Sequence, residues 1–170
     1  MSTAAAIEHG RMMDFPLTIA HLVDRAALYF GRTEVVSTNG DKSKRRTTYG
    51  DLAVRCKKLA SALTKLGVKR GDRVATLCWN HAQHLEAYFG IPAMGAVVHT
   101  LNLRLHPSEI GYIANHGGDV VVIVDQSLLP LFEKFKGDIK TLKHVLVVCD
   151  QGKPAPEGTH DYDKLVGEAS

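Results

Sequence analysis

An open α/β sheet of largely parallel strands with flanking helices is the fold class that this sequence predicts, and three observations predict it. Between Lys69 and Val148, short β-branched runs alternate with longer stretches whose apolar residues recur every three or four positions; parallel neighbours need such long connections, and antiparallel ones do not. Turn-forming residues punctuate the junctions, at Gly71, Asn80-His81 and Gly95. The connecting stretches, roughly 8 to 13 residues, suit right-handed crossovers that return each strand to one sheet. An N-terminal helix and a hairpin stand ahead of this pattern.

Taken in order, Thr18 caps a helix from Ile19 to about Phe30, and Gly31 stops it. Its Ile19, Leu22, Val23, Ala26, Ala27 and Phe30 share a face that packs on the body of the domain. Glu34 to Thr38, Asn39-Gly40 and Lys42 to Thr48 read as a hairpin, because Asn-Gly accepts the positive φ angles of a tight reversing turn. Thr48 with Asp51 three residues on starts a long helix with Leu52, Cys56, Leu59, Leu63 and Leu66 on one face. Arg55, Lys57, Lys58 and Lys65 form its expected solvated face, and Gly67 ends it.

The alternating region follows. A strand runs from Arg73 to Trp79, Asn80 and His81 break it, and a helix continues to Met94, closed by Gly95. Ala96 to Thr100, Val120 to Val124 and His144 to Val148 are further strands; Pro107 to Asn115 and Leu128 to Phe135 are helices between them. The loop 151–161 is rich in Pro and Gly, and Tyr162 to Gly167 forms one more helical turn. Residues 1–14 read as a flexible arm, and 1–170 as a single, partial domain.

Composition excludes several classes. At 170 residues with 45% apolar and 23% charged side chains, the chain has ordinary globular composition and the length of one domain. The net charge of +3 is too small for a protein that wraps nucleic acid. Cys56, Cys78 and Cys149 are odd in number and set in apolar sequence, as buried thiols in a reducing compartment are; the cytoplasm is the expected location. No basic-then-apolar leader and no 18-residue apolar window is present.

Candidate chemistry is sparse. Asn80 and His81 fall where a parallel strand ends and its helix begins, the edge at which open α/β sheets bind ligands. The following helix carries Leu85, Ala87, Tyr88, Phe89, Ile91 and Pro92 on several sides, so it is core or faces an apolar ligand. His81, His84 and Glu86, with His99, His106 and His116 beyond, lack the i, i+4 pair with an intervening Glu that zinc helices use, so capping and structural roles are preferred to metal. Lys42, Lys44, Arg45 and Arg46 can touch phosphate, yet with Tyr49 the one aromatic nearby a solvated hairpin arm is the better reading. Gly90 to Gly95 has the glycine spacing of a Walker loop but continues Ala96-Val97 where Lys and Ser or Thr must stand.

Several segments in series resemble one family. Thr47-Thr-Tyr-Gly-Asp-Leu52, Leu66-Gly-Val-Lys-Arg-Gly-Asp-Arg-Val74, Trp79-Asn80-His81 with His84-Leu-Glu-Ala-Tyr88, Met94-Gly-Ala-Val97, His99-Thr-Leu-Asn-Leu-Arg-Leu105 and Ile113-Ala-Asn-His116 are similar to segments of AMP-forming acyl-CoA synthetases. The order and spacing resemble the medium- and long-chain fatty-acid branch from about residue 15 to residue 170. One departure is Leu103, where many relatives have Pro, which loses a fixed φ angle.

The resemblance implies the N-terminal lobe of the adenylate-forming ligase fold. It implies ATP, Mg²⁺ and CoA as cofactors of the intact enzyme, with the rest of the ligase, the ATP-binding lobe and C-terminal domain, as partner and a fatty acid as substrate. Such ligases gather phosphate charge on a loop rich in Gly, Ser and Thr near a Lys; no such loop stands before Ser170. The resemblance therefore assigns no catalytic, cofactor-binding or metal residue here, and the chain alone is expected to be inactive. Asn80, His81, Asn102 and Arg104, near strand ends, are the candidates for lining an acyl pocket or the lobe interface, with capping and structural hydrogen bonds as the alternative. A second reading is a stand-alone interaction module, homodimeric or bound to a partner, built on the same fold.

Overall fold

The computed structural model describes residues 18–38 and 42–170. The expected arm 1–14 and the Asn39-Gly40 turn lie outside those residues. Helix α1, Ile19–Phe30, and the antiparallel pair β1, Glu34–Thr38, with β2, Lys44–Thr48, come first. Helix α2 spans Tyr49–Lys65 and starts with the anticipated capping box: Thr48 Oγ1 accepts from the Asp51 amide, and the Asp51 carboxylate accepts from the Thr48 amide. Gly67 stops it at φ +86°, a left-handed conformation that costs glycine no Cβ clash. Gly31 ends α1 differently, in a right-handed conformation at φ −53°.

A five-stranded parallel sheet follows in the order β4-β3-β5-β6-β7. Its members are β3, Arg73–Leu77; β4, Val97–Thr100; β5, Asp119–Asp125; β6, His144–Val148; and β7, His160–Asp161. Helix α3, Ala82–Ala93, joins β3 to β4, and α4, Pro107–Gly117, carries the chain back across β3 to β5. Right-handed crossovers running in opposite directions put their helices on opposite faces. Side chains alternating along β5 record this: Val121 and Ile123 pack with Leu59, Ala87 and Ile91, whereas Val122 and Val124 pack with Ile110, Ala114 and Phe132. Both faces are covered, which is why the central strands read as unbroken apolar runs. Helix α1 sits outside this body, with Val23 against Leu52, Ala53 and Cys56 of α2.

Five expectations are corrected. Thr18 stands at the N-cap position of α1 but makes no side-chain cap hydrogen bond, so the expected cap is not formed. The stretch 128–135 is not one helix: only α5, Leu129–Phe132, is α-helical, between 3₁₀ turns at Gln126–Leu128 and Lys136–Asp138. Leu128, Phe132 and Phe135 are buried, so their spacing reports burial rather than a continued helix. The loop 151–161 ends in β7, whose two residues were too few to show a period. The last helix, α6, Tyr162–Glu168, is longer than one turn and packs on α2. Finally, Arg55 is not on a solvated face.

Arg55 is instead half-buried between α2, α3 and α6. Its Nε donates to Glu86 Oε1 at 2.6 Å and its Nη2 to Asp163, while Tyr162 donates its hydroxyl to Glu86 Oε2 at 2.9 Å. Arg45 of β2 and the Gln83 amide complete the cluster on Asp163, at 3.1 and 3.0 Å. Glu86 is 1% exposed, and a buried carboxylate needs such pairing to remain charged. Burial favours loss of the Arg55 charge, but Glu86 and Asp163 more than offset it and its pKa is raised.

Candidate functional site

The strand order sends the chain outward from β3 to β4 and back to β5, which makes the carboxyl ends of β3 and β5 the point where ligands bind in open α/β sheets. Cys78, Trp79, Asn80 and His81 leave β3 there, and Asp125 closes β5 opposite them. Asp125 and His81 are 4% and 5% exposed. The Trp79 amide donates to Asp125 Oδ2 at 2.7 Å, and His81 Nε2 lies 2.7 Å from Asp125 Oδ1.

The partners assign the ring tautomers. His81 Nδ1 accepts from the His84 amide at 3.3 Å as the N-cap of α3, so the ring hydrogen sits on Nε2 and donates to Asp125. The ring thereby bridges the start of α3 and the end of β5 through its two nitrogens. His84 Nδ1 donates to the Trp79 carbonyl at 3.2 Å, and its Nε2 accepts from Thr76 Oγ1 at 3.0 Å. Burial first, then the neighbouring His81, lowers the His84 pKa and keeps it neutral. The Trp79 indole N–H meets Ser127 Oγ at 3.1 Å. Trp79 is therefore held at its amide, carbonyl and indole.

Cys78 Sγ, His81 Nε2 and the Asp125 carboxylate lie within 4.8 Å of one another, close enough to hold a metal ion. Their chemistry argues otherwise. Burial and then Asp125 push the Cys78 thiol pKa well above its ordinary value, so it stays protonated, and it donates to the Ile123 carbonyl at 3.5 Å. A metal on His81 Nε2 would move the ring hydrogen to Nδ1, where it opposes the His84 amide.

The four candidates divide between two clefts. Asn80, Asn102 and Arg104 surround one cleft of about 270 Å³, with Trp79, Leu101 and Leu103. The Asn102 side chain accepts from the Arg104 amide at 3.0 Å, shaping the β4–α4 connection without the proline that Leu103 replaces. His81 lines a second cleft, of about 420 Å³, between β1 and the start of α3, and Asn80 lines both. Asn80 also borders an apolar hollow with Ile19, Leu22, Tyr88 and Phe89. Sequence reasoning missed Asp125 and Ser37. An acid directly after the apolar run of β5, at the switch point, was a usable signal for the first; nothing in the sequence marked the second.

The other three candidate histidines, His99, His106 and His116, have structural partners. His99 Nδ1 meets the buried Asp119 at 2.8 Å, His106 caps α4, and His116 stacks on Tyr112.

The fold is a doubly wound α/β domain with clefts at the carboxyl edge of its sheet. Residues 20–167 match the AMP-binding enzyme family, and the chain belongs to that family. It is 48% identical over 157 residues to a long-chain-fatty-acid–CoA ligase of Thermus thermophilus, covering 92% of this chain and 28% of that protein. It is 36% identical over 162 residues to a medium-chain-fatty-acid–CoA ligase of Ectopseudomonas oleovorans, covering 94% of this chain and 30% of that protein. Among solved structures, an anthranilate CoA ligase in complex with anthranoyl-AMP matches with TM-score 0.77 at 25% identity, over 92% of this chain and 28% of that one. A chain described as a long-chain-fatty-acid CoA ligase of Rhodopseudomonas palustris matches with TM-score 0.73 at 25% identity, over 91% of this chain and 36% of that one. The fold is that of the N-terminal lobe of adenylate-forming ligases. The chain spans less than a third of the length of the curated relatives described here.

Proposed function

We propose that the chain is the N-terminal part of an ATP-dependent, AMP-forming fatty-acid–CoA ligase. In such a reaction a carboxylate attacks the α-phosphate of ATP, giving acyl-adenylate and pyrophosphate, and the CoA thiol then displaces AMP. Positioning and neutralisation of phosphate charge, with Mg²⁺ on the ATP, supply most of the rate. The observation that carries the reading is the 48% identity to a long-chain-fatty-acid–CoA ligase across 92% of the chain. None of the groups that gather phosphate charge in such ligases is recognised between Thr18 and Ser170, so the part described is a wall and a partner surface rather than the catalytic machinery.

In this reading the partner is the rest of the ligase, packed over the carboxyl edge of the sheet, and the working location is the cytoplasm. Among the described residues no helix is long and apolar enough to cross a membrane. Asn80, Asn102 and Arg104 line the surface where the second lobe or the acyl chain meets this one, while His81 acts through Asp125 to hold the turn. The source gene, read beyond the codon for Ser170, tests this. An open frame encoding a loop rich in Gly, Ser and Thr near a Lys is expected; an immediate stop in an expressed transcript contradicts it.

A further inference from the structure

The amino-terminal edge of the sheet brings two histidine rings into contact. His144 opens β6, and His160 opens the two-residue strand β7. The strands run parallel with Leu146 opposite His160, and side chains two apart on a strand share a face. Both rings therefore project from the face of the sheet on which Leu146 packs with α2, α3 and α6. His144 Nδ1 and His160 Nε2 stand 3.3 Å apart, with ring centroids at 5.4 Å and planes inclined by 52°. Both residues are half-buried, so solvent reaches the rings while paired backbone holds them.

That separation is the bite of a metal ion. Zinc binds imidazole nitrogens at about 2.0–2.1 Å in tetrahedral geometry, which sets two of them about 3.3–3.4 Å apart. Without an ion, one ring donates its hydrogen to the other. An ion needs both lone pairs facing inward, so that hydrogen moves to the outer nitrogen of its own ring. The inter-ring contact is the one hydrogen bond that either ring makes among the described residues, so this change of tautomer breaks no other. At His81 the same change is opposed, because Nδ1 already accepts from the His84 amide.

We propose that His144 and His160 together bind a first-row transition dication of the zinc class, which clips β7, and with it the start of α6, to the sheet. Imidazole nitrogens suit such ions, whereas Mg²⁺ and Ca²⁺ take oxygen ligands. The site lies at the opposite edge of the sheet from the candidate clefts and does not rest on the ligase reading.

The test titrates zinc into the 170-residue chain, stripped of metal by a chelator, and follows the heat of binding and the histidine ring resonances. One equivalent is expected to move two sets of ring signals, those missing from the spectra of His144→Gln and His160→Gln. Each of these substitutions is expected to weaken zinc at least about tenfold, since losing one of two ligands costs no less than losing a group that only orients a ligand. His116→Gln should bind as the parent does, and magnesium should give no response. Zinc should also raise the midpoint of thermal unfolding, reversibly with chelator, because the ion is held only where β6 and β7 are paired. Unchanged affinity in either variant, ring shifts centred on His81 and His84, an equal response to magnesium, or no binding at submillimolar zinc each overturns the proposal. The ring spectra of the parent chain locate the ion even where a variant fails to fold.

Discussion

Single side chains hold the switch-point turn and the α2–α3–α6 seam, and their removal tests both. Replacing Arg55 by Ala leaves Glu86, 1% exposed, as an unpaired buried charge; the expected loss is about 3–5 kcal/mol in urea unfolding. Arg55→Ala together with Glu86→Leu should recover much of it, because removing both partners of a buried pair costs less than removing one. His81→Ala removes a helix cap and one partner of Asp125, and about 2 kcal/mol is expected from the two losses. The Asp163 carboxyl supplies a pH signature. Burial alone would raise its pKa, but the Gln83 amide and then the Arg45 and Arg55 guanidinium groups hold it below the ordinary carboxylate value. Folding therefore favours its ionised form, so its contribution is present above about pH 4, the unfolded value, and is lost as pH falls through the lower folded value. Asp163→Asn should flatten that acid limb. Asp119 has the opposite sign, since burial raises its pKa despite His99, and its contribution fades as pH climbs from the unfolded to the folded value. Of these residues the sequence showed His81 as a turn breaker, because its capping contact with His84 lies within three positions along the chain. Arg55 was misread because its partners Glu86 and Asp163 lie 31 and 108 residues away, a separation that no local pattern reports.

Elements packed by close backbone approach show where the sequence was legible and where it was not. Gly90 lies where α3 meets α2: a Cβ there would stand 2.8 Å from the Cys56 carbonyl oxygen and 3.2 Å from Leu59 Cδ2. Gly90→Ala should force the helices apart at a cost of about 1–3 kcal/mol, read as a lowered midpoint of thermal unfolding. The glycine was visible in the sequence, but as half of a false Walker spacing rather than as a contact. Helices α1 to α4 and strands β1 to β6 were recognisable because each carries at least one local mark, an apolar period or run, a capping residue or a flanking turn. The stretch 128–135 failed because burial can be achieved by 3₁₀ turns as well as by a helix of the same length. Strand β7, two residues long, carries no period at all.

Across the whole molecule, part of the apolar surface that remains in water lies around the candidate clefts. Ile19, Leu22, Val36, Trp79 and Tyr88 are 45%, 60%, 48%, 43% and 44% exposed, and with the exception of Trp79 and Val36 they border one hollow at Asn80. Contiguous exposed apolar surface of this kind marks an interaction site. The isolated chain is therefore expected to enhance the fluorescence of a hydrophobic dye, and Leu22→Glu with Tyr88→Glu should abolish the enhancement; a dye response unchanged by both substitutions would assign the patch elsewhere. The parallel sheet was legible because its period and connection lengths admit few alternatives, whereas strand order, and with it the pairing of Asp125 with His81, follows only from crossovers that the sequence does not order. The central claim concerns an activity that the described residues do not carry by themselves, and completing the chain tests it most directly. The chain would be joined to the part of the Thermus thermophilus relative that follows its matched region, and exchange of labelled pyrophosphate into ATP would be measured with fatty acids of graded length. Fatty-acid-dependent exchange in a folded chimera, absent from the 170-residue chain alone, is the predicted result; a folded chimera that exchanges pyrophosphate with no fatty acid contradicts it.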